Sequence, residues 1–241
     1  MCEESIRAYD VFLMRRTRVK ICGVMRPEDA AMAAARGADA VGFILHPDSP
    51  RNVSIDTASR ILAVLPPMVS PVGLFVDSTA EQIMAISRRL GLRHVQLHGN
   101  ESPETVAALD GLVIVKAIRV APESLSRSLD LFRGSANLRG IVLETADTGR
   151  PGGTGVPNNW DLVRQSIKAG ALSGLPPIIA AGGLNAENVG AVVRSIRPWA
   201  VDVSSGVEQV RGEKSEKLVR EFVAAVQEAD RAPDADADAA V

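Results

Sequence analysis

The sequence predicts a single α/β domain, a (β/α)8 TIM barrel, and three observations carry that prediction. Eight short apolar runs rich in β-formers are each followed by an amphipathic segment rich in Ala, Leu, Arg and Glu, the alternation expected of strand–helix units around a parallel sheet. The chain, 241 residues with 46% hydrophobic and 23% charged, is long enough to bury one sizeable core. No GxGxxG fingerprint follows the first run, which argues against a doubly wound dinucleotide-binding sheet.

Taken in order, RVKIC (18–22) reads as the first strand, and Pro27 with two carboxylates behind it opens a helix over PEDAAMAAARG that stops at Gly37. AVGFIL (40–45) is followed by SIDTASRILAVL, with Ser in front and Asp in the first turn. PVGLFV (71–76) leads into STAEQIMAISRRL, which ends at Gly91, and HVQLH (94–98) into SPETVAALD. VIVKAI (113–118) precedes PESLSRSLDLF, and GIVLET (140–145) precedes WDLVRQSIKAG, closed by Gly170. PIIAAGG (177–183) precedes NAENVGAVVRSI, and AVDVSS (200–205) precedes GEKSEKLVREFVAAVQEA. The barrel should occupy residues 18–229. Residues 1–17 form an extension, poorly ordered or a short helix, and residues 230–241 an acidic low-complexity tail that cannot bury apolar surface and is expected to be disordered.

Composition narrows the setting. Cys2 and Cys22 make no disulfide framework, so a reducing, cytoplasmic compartment is expected. The apolar run VFLM near the N-terminus is too short for a signal-peptide core and far below the ~20 apolar residues of a membrane span. A net charge of −2, three His and few aromatics offer nucleic acid neither a basic stripe nor a stacking platform. A small anionic substrate remains open.

In such barrels chemistry sits at the C-terminal mouth of the strands, and side chains alternate between interior and helix layer. Counting by twos places Lys20, Cys22, Gln96, His98, Lys116, Val142, Glu144, Asp202 and Ser204 inward, with Ile21, Val95, Leu97, Val115, Val201 and Val203 against the helices. Polar groups converging from five strands either satisfy one another as a stabilising ring or serve a ligand. Glycines favour the ligand: RPGGTG (150–155) follows strand six, AAGGLN (180–185) ends strand seven and SSGVE (204–208) ends strand eight. Glycine lets backbone approach a ligand, and successive N–H groups there build an anion nest where such barrels commonly hold phosphate. The substrate should carry a phosphate, bound at Gly153, Gly155, Gly182, Gly183, Ser204, Ser205 and Gly206.

KICG followed by PEDA, then GADAVGFIL, HPDSPR, NVS, VGLFVD, VQLHG with NES, VKAIRV, GGTG, AAGGLNAENV and VDVSSGVE with GEK occur in order from about Val19 to Phe222. Together they resemble phosphoribosylanthranilate isomerase of tryptophan biosynthesis. The resemblance implies an Amadori rearrangement of N-(5-phosphoribosyl)anthranilate to 1-(2-carboxyphenylamino)-1-deoxyribulose 5-phosphate, with no metal or organic cofactor. It implies Cys22 as general base, Arg51 of the SPR motif as the ligand of the anthranilate carboxylate, the glycine loops as the phosphate site, and an acid at the end of strand six. There this sequence departs from the family's LD(S/T): it reads Leu143-Glu144-Thr145, one methylene longer, with Asp147 nearby as a possible substitute. After GGTG, Val156 to Trp160 also departs from the family's Lys and Phe-Asp-Trp-like segment.

Lys20, His98 and Asp202 complete the expected substrate site; Lys20 either lowers the Cys22 pKa or forms a structural ion pair with Asp202 or Glu144. The expected partner is one small phosphorylated molecule, with no nucleic acid or membrane, in a monomer or homodimer. Two alternatives stay open: the same chemistry on another N-ribosyl phosphate, and a non-catalytic sugar-phosphate-binding barrel. A metal-dependent epimerase finds only His98 at a strand end, and an indole-glycerol-phosphate synthase, which could use Lys116, gives Cys22 no task.

Overall fold

The computed structural model describes residues 16–145 and 160–231. Eight parallel strands close a barrel in sequence order: β1 (Arg18–Ile21), β2 (Ala40–Ile44), β3 (Ser70–Phe75), β4 (His94–Leu97), β5 (Val113–Val120), β6 (Leu138–Thr145), β7 (Ile178–Ala181) and β8 (Ala200–Val203). The helices between them are α1 (Pro27–Ala35), α2 (Ile55–Val64), α3 (Ala80–Leu90), α4 (Pro103–Ala108), α5 (Leu125–Leu131), α6 (Trp160–Lys168), α7 (Val189–Ile196) and α8 (Glu216–Arg231). Among the described residues every expected strand and helix is present, with ends moved by a few residues.

Local chemistry explains the helix boundaries. Ser54 and Ser102 accept the Thr57 and Thr105 N–H groups at the starts of α2 and α4. Thr79 and Gln82 form a reciprocal capping box on α3, which ends at Gly91 in the left-handed region at φ 66°. The continuous apolar layer lies between strands and helices: Ile21, Phe43, Phe75, Leu97, Ile141 and Val201 face helix residues such as Ile61, Ile83 and Phe222. Closure of the barrel pairs β1 with β8, Lys20 level with Asp202. At the opposite end from the mouth, Arg18 stacks 3.5 Å from the Trp199 ring centroid, and the Thr17 N–H and hydroxyl both donate to Asp230 (2.7 and 2.6 Å). That anchor carries α8 two residues into the segment 230–241; residues 1–15 and 232–241, with Cys2, lie outside the described residues.

Two differences from the sequence reading matter for the site. GEK was expected to begin the last helix, but Glu213–Lys214 is a short strand, β10, paired antiparallel with β9 (Glu208–Val210), and Ser215 precedes α8. The Arg211–Gly212 turn, with Gly212 at φ 87°, folds Lys214 back beside Glu208. The second correction is Lys116. In β5 the even residues Ile114 and Ile118 join the helix-side core, so Lys116 between them points away from the interior. Its Nζ reaches the Glu101 carboxylate at 3.1 Å and donates to the Gly99 and Ala117 carbonyls at 2.8 and 2.9 Å. The inward set is Val115, Ala117 and Arg119, the last level with Glu144 on β6.

Candidate active site

Three side-chain clusters meet at the C-terminal mouth. In the first, β1 and β8 bring Lys20 and Asp202 into a buried ion pair, Nζ to Oδ2 2.6 Å, with side chains 7% and 6% exposed. Of the two partners expected for Lys20, the structure selects Asp202. Cys22 follows β1, its N–H donating to the Val203 carbonyl at 2.8 Å, and its thiol is buried beside Lys20. Gly42 on β2 makes the space: a Cβ there would lie 2.9 Å from Cys22 Sγ and 3.1 Å from Lys20 Nζ.

Electrostatics in this cluster run against a resting thiolate. Burial pushes the Cys22 pKa up and the Asp202 charge adds to that, while Lys20 and Lys214 pull it down without reversing the direction. The help expected from Lys20 is present but outweighed. Burial also opposes the Lys20 charge, yet Asp202 and the Cys22 sulfur overcome it and raise its pKa, so Lys20 stays a cation.

The second cluster joins β4 to β6. His98 Nε2 lies 2.7 Å from Glu144 Oε2, and Gln96 Nε2 contacts His98 Nδ1 at 3.0 Å. Burial works against the Glu144 charge, but the hydrogen bond from His98, with the charges of Arg119 and Lys20, holds its carboxyl below the usual range. Behind His98, outside the barrel, Glu101 accepts the N–H groups of Asp77 (3.0 Å) and Gly99 (3.0 Å) and pairs with Lys116, fixing the backbone that follows β4.

The third cluster was not foreseen. Arg51 gives its Nε and Nη2 to the two oxygens of Glu208, both at 2.7 Å, a bidentate pair. Lys214, its side chain fully buried, donates to Glu208 Oε1 at 2.9 Å and to the Ser204 carbonyl at 3.0 Å. Burial lowers the Lys214 pKa although Glu208 works the other way. Arg51 lies over Gly23, where a Cβ would come within 2.7 Å of its Cδ and 2.8 Å of Ser204 Oγ; Gly23 sits at φ 67°. Arg51, Cys22 and the strand-eight loop are thereby locked into one surface.

The two described glycine loops also meet. Gly182 and Gly183 follow β7 with φ 92° and 62°, conformations that favour glycine, and Asn188 Nδ2 donates to the Gly183 carbonyl at 2.9 Å. Ser205–Val207 form a single 3-10 turn after β8, and a Cβ on Gly206 would fall 1.9 Å from the Leu184 carbonyl oxygen, so only glycine permits this approach of the two loops. Gly153, Gly155 and Asp147 lie outside the described residues. No group of three or more His, Cys, Asp and Glu is arranged to hold a metal, and no helix is long and apolar enough to cross a membrane, both among the described residues.

Glu208, Lys214, Arg119 and Gln96 are the site residues to which sequence reasoning gave no role. Gln96 had been placed inward. Parity along VIVKAIRV would have found Arg119 had Ile114 and Ile118 been given precedence over Lys116, and the alternation EQV, Arg-Gly, EK marks the hairpin.

Comparison with known proteins places the chain in a family. Residues 19–225 match the family model described as N-(5'-phosphoribosyl)anthranilate (PRA) isomerase. Proteins named N-(5'-phosphoribosyl)anthranilate isomerase from Trichlorobacter lovleyi and Pseudomonas putida are both 42% identical, over 88% and 90% of this chain and 98% and 100% of theirs. Among solved structures, phosphoribosyl anthranilate isomerase from Thermotoga maritima superposes with a TM-score of 0.79 at 36% identity, covering 88% of this chain and 99% of that one. A phosphoribosyl anthranilate isomerase in complex with reduced 1-(o-carboxyphenylamino)-1-deoxyribulose 5-phosphate superposes at 0.75 with 35% identity, again over 88% and 99%. With the match running from β1 into α8 and the barrel closing in the same order, the chain belongs to the phosphoribosylanthranilate isomerase family.

Proposed function

We infer that this protein is the isomerase of tryptophan biosynthesis that converts N-(5-phosphoribosyl)anthranilate to 1-(2-carboxyphenylamino)-1-deoxyribulose 5-phosphate. The observation that carries the reading is the meeting of a thiol, a carboxyl and a guanidinium, Cys22, Glu144 and Arg51, at one barrel mouth in a chain of this family. The substrate phosphate is held by N–H groups of Gly182, Gly183, Ser204, Ser205 and Gly206, where the loops after β7 and β8 touch. The same phosphate role is assigned to Gly153 and Gly155, which lie outside the described residues. The anthranilate carboxylate pairs with the Nη1/Nη2 edge of Arg51, since Glu208 already takes the Nε/Nη2 edge and fixes the plane of the fork.

Glu144 delivers a proton to the furanose ring oxygen, the C1–O bond breaks toward that oxygen, and a Schiff base forms. Cys22 removes the C2 proton, giving an enolamine that tautomerises to the ketone. Lys20 and Asp202 flank the sulfur: the cation favours the thiolate as it forms, and the carboxylate holds the cation in place. No metal or organic cofactor enters this scheme. The protein acts as a cytoplasmic monomer or homodimer on one small phosphorylated partner.

The test is loss of anthranilate fluorescence on adding phosphoribosylanthranilate to the purified protein. Turnover by the wild type that falls strongly in Cys22→Ser, with folding intact by circular dichroism, is expected. Silence from the wild type would leave a sugar-phosphate-binding barrel or another N-ribosyl phosphate as the substrate.

A further inference from the structure

The Gln96–His98–Glu144 chain carries a consequence for how the acid is loaded. Gln96 is 1% exposed in the barrel interior; its Nε2 donates to His98 Nδ1 at 3.0 Å, and its Oε1 is buried with no hydrogen-bond partner among the described residues. An imidazole that accepts at Nδ1 is neutral and carries its proton on Nε2. The proton in the 2.7 Å contact therefore belongs to His98, Glu144 is a carboxylate, and the pair holds one proton. Such a pair has nothing to donate, because removing the Nε2 proton would leave an imidazolate.

Turning the Gln96 amide by half a revolution changes the count. Oε1 then faces Nδ1, which must carry a proton, and the 2.7 Å contact is favourable only with a second proton, either on Nε2 as imidazolium or on Glu144 as the acid. The charges around the pair among the described residues are Arg119 on β5, level with Glu144, and Lys20 on β1 with its partner Asp202 on β8.

We propose that Gln96 is a positioning residue whose amide orientation sets whether the His98–Glu144 pair holds one proton or two, so that its rotation loads the general acid. On loading, one proton is taken from solvent; on reaction it leaves Glu144 for the ring oxygen, and the amide turns back. The inference rests on Glu144 being the acid of the proposed isomerisation.

Gln96→Glu and Gln96→Leu test it, with His98 identified by difference from His98→Asn in imidazole nitrogen NMR. In the wild-type free protein at neutral pH the His98 signals should be those of the Nε2–H tautomer. As a carboxylate the new side chain of Gln96→Glu accepts at Nδ1, so at a pH where it is ionised His98 should show a protonated Nδ1, and the limb of the kcat/KM profile governed by the pair should move to higher pH. Gln96→Leu, which removes the hydrogen bond, should lower kcat about tenfold with KM little changed. A Gln96→Glu protein that keeps the Nε2–H tautomer and the wild-type pH profile while still turning over substrate overturns the proposal. A wild type that does not isomerise the substrate overturns the functional reading instead, and the NMR result is independent of that.

Discussion

Gly42→Ala places the smallest possible side chain between Cys22, the proposed base, and the Lys20 cation, and its effect follows from distances. The new Cβ would stand 2.9 Å from Cys22 Sγ and 3.1 Å from Lys20 Cε and Nζ, where ordinary contact begins at 3.4 Å. Lys20 cannot retreat cheaply, because its Nζ is pinned to Asp202 at 2.6 Å in a pair whose side chains are 7% and 6% exposed. The sulfur must therefore move by half an ångström or more, or turn to another rotamer. A displacement of about 1 Å in a reacting group costs on the order of 100-fold, so turnover should fall about ten- to hundredfold. Overpacking of this kind destabilises by ~1–3 kcal/mol, which leaves the barrel folded. The assay is kcat and KM by anthranilate fluorescence beside a denaturant melt. Because Arg51 and the phosphate loops are untouched, the loss should appear in kcat and leave KM nearly constant. Turnover within twofold of wild type would show that the Cys22 sulfur is not held where the reaction needs it, and the assignment of the base would fall with it.

Arg51→Lys should raise KM for the anthranilate substrate, since a single ammonium cannot pair with Glu208 and a substrate carboxylate in two parallel forks at once; an unchanged KM would refute the carboxylate assignment. Lys116→Met should leave kcat within a few-fold, because Lys116 faces the helix layer, whereas Glu101→Ala should cost about 3–5 kcal/mol in a denaturant melt by stranding Lys116 and the Asp77 and Gly99 N–H groups. Equal stability of the two variants would mean the pair does not brace the loop. For pH dependence, the raised Cys22 pKa means that above about pH 8.5 the unfolded chain loses the thiol proton while the native protein keeps it. The wild type should then lose stability relative to Cys22→Ser as pH rises past that point and match its pH dependence below it; parallel curves to pH 10 would refute the buried neutral thiol.

The barrel was legible because its pattern is redundant. Eight apolar runs, each followed by an amphipathic segment, survive an error of a residue or two at any boundary. Strand parity has no such redundancy. In VIVKAIRV both alternating sets contain one basic residue, and choosing Lys116 as the inward one sent Val115 to the wrong side and left Arg119 without a place. What decides the matter is Glu101, fifteen positions away, whose buried carboxylate lets a lysine sit among isoleucines on the helix side at 3.1 Å. Nothing local to β5 announces that partner, and only the Ile114–Ile118 pair hints that the even face belongs to the apolar layer.

The site shows the same division. Cys22, His98, Glu144 and Asp202 were placed at the mouth by strand parity and Arg51 by its motif, and the contacts between Lys20 and Asp202 and between His98 and Glu144 follow once the strands are aligned. What the sequence could not carry is the resting charge state, which depends on burial and on every neighbour at once. Cys22 sits beside two lysines, yet burial and Asp202 keep it a thiol; Glu144 is half hidden, yet His98 and Arg119 keep it a carboxylate. Both groups therefore rest in the form opposite to the one the proposed reaction asks of each. The carboxylate of Glu208 plays a different part at Arg51, a built-in anion that holds the guanidinium plane. Substrate binding has to change two protonation states without moving the strands, so the work falls on groups that can turn in place, the Cys22 sulfur, the Gln96 amide and the His98 ring. Their freedom is set by neighbours with almost none: Gly42 leaves the sulfur its room, and the Glu101–Lys116 brace fixes the backbone from which His98 projects.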